Sequence, residues 1–165
     1  MNQHSALEKI GRAGLKTVRF DTGVGGIPEY TQMDFAHALT GLSKEATAWA
    51  MYAYSNTEDE KSLSFVTARL AKIIARKYPE FPPKSIVGLV KVTLRECLMY
   101  APGEVNRKGC SVTLRCAAMN ISRDTYYRKS NMIQSAVDTV VQVVRCWEKQ
   151  IGDKVVDKFA SCEGL

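Results

Sequence analysis

Apolar residues recur at helical spacing through most of this chain, and the places where the spacing fails mark its joints. Leu63, Val66, Leu70, Ile73 and Ile74, with Lys77 after them, step by threes and fours, with Arg69, Lys72 and Arg76 on other faces. Pro79, Pro82 and Pro83 end that helix and open the next. Ile86, Leu89, Val90, Thr93, Leu94, Cys97 and Leu98 then form a wide stripe, which predicts a buried central helix. Ala101-Pro102-Gly103 stops it. Ile133, Val137, Val140, Val144, Trp147, Ile151 and Val155 make a heptad-like series, so the last long helix packs on its own core or forms a dimer seam or partner surface. Gly152 weakens its end.

Upstream, Ser43 with Glu45 behind it predicts a helix start, with Trp49, Ala50, Ala53 and Tyr54 in that helix. Asn56 to Lys61 is a polar, mostly acidic break. Thr31 with Asp34 resembles a capping box and predicts a short helix to about Leu39. Residues 1–30 differ: five of the chain's eleven glycines fall there. Leu15-Lys16-Thr17-Val18-Arg19-Phe20 alternates as a half-buried strand does. Thr22-Gly23-Val24-Gly25-Gly26 reads as a turn or joint, without the spacing of a phosphate-binding loop. The expected fold is mainly α: a helical body over 31–165 behind a Gly-rich, flexible or β-like basic arm.

With 165 residues, 45% of them apolar, the chain can fill a core, and no apolar run reaches the ~18 residues of a membrane span. Met1-Asn2-Gln3-His4-Ser5 lacks the layout of a secretion signal, so a cytoplasmic location is expected. The net charge of +6 suits a polyanionic partner, usually nucleic acid. Cys97, Cys110, Cys116, Cys146 and Cys162 are odd in number and include no C-x-x-C pair, which fits reduced thiols better than a disulfide framework. His4 and His37 are distant from the cysteines, so no metal site is expected. Nor is a catalytic set present: Asp34 and His37 lie three apart but have no nucleophile. A cofactor-free, non-enzymatic protein is the expectation.

Residues 111–130 carry the most information. Leu114, Cys116, Ala117 and Ala118 predict a short first helix whose small residues let the second helix, which starts after Ser122, approach closely. Met119 plugs the joint, Asn120 takes the left-handed turn position, Ile121 packs inward and Ser122 caps the next helix. This is the pattern of a helix-turn-helix, with residues from Arg123 onward directed at a major groove. Arg123 suits a paired contact to guanine, and Thr125 a thymine methyl or a phosphate. Asp124 suits helix capping or a cytosine amino group, and Tyr127, Arg128 and Lys129 suit the backbone. Tyr126 takes the inward position. Arg107 and Lys108 precede the motif and add phosphate contacts. Arg115 and Lys129 occupy positions where apolar residues are common, and a plain helical hairpin with a capping serine is the alternative. From 105 to 130, Asp124 is the single acid among six basic residues.

The chain resembles the late-gene antiterminator Q proteins of lambdoid phages, of the phage 21 type. The resemblance rests on its length and charge, the Gly-rich arm, Tyr30-Thr31-Gln32-Met33-Asp34-Phe35, and above all Cys116 to Arg128. It implies a protein that binds a DNA element at a phage late promoter and loads onto host RNA polymerase paused there with its sigma factor. The protein then promotes read-through of pauses and terminators, with nascent RNA, elongation factors and a second DNA-bound copy as further candidate partners. Lys9, Arg12, Lys16 and Arg19 are expected near polymerase or RNA. The zinc module of the lambda Q protein has no counterpart in this sequence. Two other classes stay open: a DNA-binding repressor or activator that dimerises through Ile133 to Val155, and an interaction protein with no nucleic-acid partner.

Overall fold

A computed structural model describes residues 37, 39–54, 59–99 and 110–160. The arm with Lys9, Arg12, Lys16 and Arg19, the strand at 15–20, nearly all of the helix predicted from Thr31, and Arg107 and Lys108 lie outside the described residues. Those described form an all-α structure: α1 (Lys44–Tyr54), α2 (Glu60–Lys77), α3 (Pro83–Met99), α4 (Val112–Met119), α5 (Arg123–Arg128) and α6 (Ser130–Ala160).

The helix ends follow from local chemistry. The Ser43 hydroxyl accepts the Ala46 N–H at 3.2 Å and starts α1. Ahead of it, Gly41 takes φ +88° in a turn, a conformation costly for a residue with a Cβ. Asp59 starts α2: its Oδ1 accepts the N–H groups of Lys61 at 3.1 Å and Ser62 at 3.3 Å, and Ser62 Oγ donates to its Oδ2 at 2.5 Å. The Ser62 bonds hold the Asp59 pKa below the ordinary carboxylate value. The polar break is therefore shorter than expected, because Glu60 and Lys61 already belong to the helix. Helix α2 closes at Lys77 ahead of Pro79, and Pro83 is the first residue of α3, where its missing N–H costs nothing.

The chain divides into two compact units, residues 1–63 with 147–165, and residues 64–146. In the first, Ala46, Trp49, Ala50 and Ala53 of α1 are buried, as are Trp147, Ile151 and Val155 of α6. Ser43 Oγ donates to Gln150 Oε1 at 3.3 Å. Tyr54 is half-buried, and burial of its phenol, with the Glu148 carboxylate nearby, raises its pKa above the ordinary tyrosine value. Helix α6 continues through Gly152 to Ala160.

In the second unit, Val66, Leu70 and Ile74 form the inward stripe of α2, while Ile73 is exposed. Ile86, Leu89, Val90, Thr93 and Leu94 of α3 are buried, as the spacing predicts, and the stripe opens to solvent at Leu98. Ile133, Val137, Val140 and Val144 of α6 are buried as well. Helices α3 and α4 run close together in opposite directions. Ser85 Oγ donates to the Met119 carbonyl at 2.7 Å, and a Cβ at Gly88 would overlap the Ala118 carbonyl. This close approach, made by Gly88 against the Ala118 backbone, is that of α3 to α4, whereas the small residues of α4 were expected to admit α5; the Ala117 side chain is exposed.

Two outcomes follow. Gly88→Ala improves helix propensity by about 1 kcal/mol but forces the α3 and α4 backbones apart, and overpacking of this kind costs about 1–3 kcal/mol. A net loss of stability in urea unfolding is expected, and a gain would refute the close approach. For Tyr54 the folded-state pKa is raised, so its contribution is full below the unfolded value of about 10 and declines as pH rises above it. Tyr54→Phe should lose less unfolding free energy than the parent between pH 8 and 11.

Candidate nucleic-acid interface

Helices α4 and α5 form a short hairpin whose two starts are capped alike. Ser111 Oγ accepts the Leu114 N–H at 3.3 Å, and Ser122 Oγ accepts the Thr125 N–H at 3.2 Å. Between the helices, Asn120 sits at φ 52° and ψ 49°, the only described residue other than glycine with positive φ. Its N–H bonds back to the Ala117 carbonyl at 3.2 Å, and the Ile121 N–H to that of Cys116 at 3.1 Å, which closes α4. Ser122 and Asn120 hold the places that the sequence assigns them. Met119 is fully buried at the joint, Tyr126 is buried and Ile121 half-buried.

The hairpin is fixed to α3 by a buried ion pair. Arg115 and Glu96 are 9% and 6% exposed. Arg115 Nη2 donates to Glu96 Oε1 at 2.8 Å and Oε2 at 3.0 Å, and its Nε to Oε1 at 3.1 Å. The same Oε1 accepts the Cys110 N–H at 2.7 Å, just before α4 begins. Arg115 Nη1 reaches Tyr126 Oη on α5 at 3.3 Å. Burial opposes the arginine charge, but the bonds to Tyr126 and Glu96 and the carboxylate charge outweigh it, and the Arg115 pKa is raised. Burial, followed by the Glu96 charge, raises the Cys110 pKa, so this half-buried side chain stays a thiol at neutral pH. Arg115, out of place in the sequence pattern, is thus the residue that joins three helices. Glu96 was missed, although a carboxylate within the apolar stripe of α3 was its signal.

Outward from this frame stand Arg123, Asp124, Tyr127 and Arg128, all exposed, with Tyr127 at 63%. Arg123 Nη2 donates to Thr113 Oγ1 on α4 at 2.7 Å. Arg128 Nη2 pairs with Asp124 Oδ2 at 2.7 Å, one helical turn apart. A pair this exposed is worth at most about 1 kcal/mol, so the arginine is available to a stronger anion. Thr125 is half-buried, and its hydroxyl lies 2.9 Å from Ser122 Oγ within the cap, which occupies it. Helix α5 ends at Arg128, and Lys129 is its C-cap rather than a further outward residue. The Lys129 ammonium lies 5.2 Å from the Phe81 ring centre, so this half-buried side chain takes the inward place that apolar residues often fill.

Charge is unevenly divided. Residues 64–146 hold fourteen Lys and Arg against five Asp and Glu, and the rest of the chain holds nine against twelve. The excess of positive charge therefore belongs to the unit with the hairpin. Among the described residues, no group of His, Cys, Asp and Glu could hold a metal ion, and no helix is long and apolar enough to cross a membrane. No family model, curated protein or solved structure matches the chain.

Removal of one partner from a buried ion pair costs about 3–5 kcal/mol, whereas its replacement by packed apolar residues is often neutral. Glu96→Ala should therefore destabilise by that amount in urea unfolding, while the double change Glu96→Met with Arg115→Met stays near the parent. A cost under about 1 kcal/mol for Glu96→Ala would mean that water reaches the pair.

Proposed function

We propose that the protein is a sequence-specific DNA-binding transcription antitermination factor, without enzymatic activity, that reads duplex DNA through α4 and α5 as a helix-turn-helix. One observation carries the DNA-binding part. Two serine-capped short helices meet at a left-handed Asn120, and Arg123, Asp124, Tyr127 and Arg128 project outward while Tyr126 turns in. A groove-reading helix needs that division, with one face anchored and one free for base edges. The positive excess of residues 64–146 supports it, since phosphate neutralisation supplies most sequence-independent affinity.

In this reading Arg123 exchanges its bond to Thr113 for a guanine, and Arg128 exchanges Asp124 for a phosphate. Asp124, released, accepts from a cytosine amino group, and Tyr127 lies along the backbone. Ser122 and Thr125 keep the helix start in place. Lys129 is left at the edge of the contact, with Arg107 and Lys108 contributing charge ahead of the motif.

The step from DNA to polymerase rests on the resemblance to the phage 21 type of Q protein. The factor binds its element near a late promoter, joins the bacterial polymerase paused with sigma factor in the host cytoplasm, and promotes read-through. Lys9, Arg12, Lys16 and Arg19 of the arm face polymerase or RNA in this reading. The competing repressor uses Ile133 to Val155 as a dimer seam. All seven residues of that series are buried within the single chain, which favours the core role for them.

Two measurements test the proposal. Arg123→Ala should weaken binding to the cognate duplex by about 1–3 kcal/mol and relax preference at one base pair, read by titration against a selected site and its single-base variants. Transcription with purified bacterial polymerase and sigma factor, on a template with the DNA beside this gene ahead of a terminator, should show read-through that requires both the protein and that DNA. Reduced initiation with unchanged termination would instead establish a repressor.

A further inference from the structure

Helix α3 holds the hairpin with one face, and a different face carries charge that the hairpin does not use. Ser85, Gly88 and Glu96 meet α4. Lys84, Lys91 and Arg95, spaced by seven and four residues, fall about a quarter turn round the helix from that contact. All three are exposed, and the ion pairs among the described residues, Arg115 with Glu96 and Arg128 with Asp124, include none of them. They span ~16 Å along the axis at 1.5 Å per residue.

Two features set this edge apart from an ordinary solvated face. The sole carboxylate of α3 is Glu96, and it is turned inward onto Arg115, so every charged side chain on the exposed side of the helix is a cation, with Val87 and Leu98 exposed beside them. Glu80, in the connection before the helix, is the nearest other acid ahead of it in the sequence. In addition, Lys84 stands in the first turn of α3, which contains no acidic residue, although the helix dipole favours anions there and disfavours cations.

We infer that Lys84, Lys91 and Arg95 form a second nucleic-acid contact, a rail for a phosphate backbone that is read without regard to sequence and is separate from the base-reading residues of α5. The match is one of charge: a row of cations without intervening anions suits a polyanion, and a backbone of evenly spaced phosphates fits a row that runs along one helix edge. The backbone is that of duplex DNA, because α3 packs directly on α4 of the hairpin proposed to read it, and in this the inference rests on that reading.

The test is the salt dependence of binding by the full chain, measured on a short random-sequence duplex and on a single-stranded oligouridylate. The variant K84Q/K91Q/R95Q changes only exposed side chains, and an unchanged thermal midpoint confirms its fold. Each lost contact should lower the slope of log affinity against log salt by about 0.9 on duplex or about 0.7 on single strand, so a drop of roughly 2–3 is expected. The charge-keeping variant K84R/K91R/R95K should retain the parent slope. A drop on the duplex is the expected result, and a drop confined to the oligouridylate would overturn the assignment to DNA. Unchanged slopes on both would overturn the inference. That failure differs from failure of the helix-turn-helix reading, in which the parent protein shows no preference for any duplex sequence whether or not the rail variant changes its slope.

Discussion

The arrangement of residues 64–146 depends on one buried contact, the carboxylate of Glu96 against the guanidinium of Arg115. Each charge is costly away from water, and each is tolerable only because the other is there with its hydrogen bonds nearly complete. Glu96 Oε1 alone accepts from Arg115 Nε, Arg115 Nη2 and the Cys110 N–H. That saturation gives the contact direction, which an apolar contact of equal size lacks. It sets α4 along α3, and through Tyr126 it sets α5 as well. At the other end of the helix pair, Ser85 on the Met119 carbonyl and Gly88 against Ala118 fix the remaining freedom.

The inward and outward bonds of the hairpin differ in kind. Those to Glu96 and Tyr126 are shielded, so they strengthen in low dielectric and are expensive to break. Those of Arg123 to Thr113 and of Arg128 to Asp124 are open to water, so they are cheap to exchange. A surface meant to meet a charged partner benefits from both. The first kind spares the partner the cost of ordering the backbone, and the second holds long side chains near their working positions without committing them.

Most helices were legible in the sequence because their limits are set locally. Prolines at 79, 82 and 83, serines at 43 and 122, and apolar steps of three and four are properties of neighbouring residues, and the structure follows them. Asn120 was legible for the same reason, since few residues tolerate the left-handed region. The Glu96–Arg115 pair was not legible, because it joins residues 19 apart whose meeting is decided by how α3 and α4 pack. Its trace was two opposite charges, each at an inward position of its own helix, and either alone looks like a misfit. Lys129 differs again: its stem and ammonium against Phe81 let a charged residue serve an apolar place, which a pattern of polar and apolar letters cannot express.

The division of charge between the two units adds a constraint that stability alone does not explain. Fourteen basic residues against five acidic ones within 64–146 repel one another, and such repulsion works against a compact state. The buried Glu96–Arg115 pair takes one charge of each sign from the surface and so leaves that excess undiminished. The remainder of the chain carries an acidic excess, so the chain is not short of carboxylates with which to relieve the crowding. Segregation of this kind is reasonable where a partner supplies the missing negative charge on binding. The cost of self-repulsion in the free protein then becomes part of the gain on association. In the proposed DNA-binding reading, that gain depends on salt and not on base sequence, whereas the outward residues of α5 supply what depends on sequence.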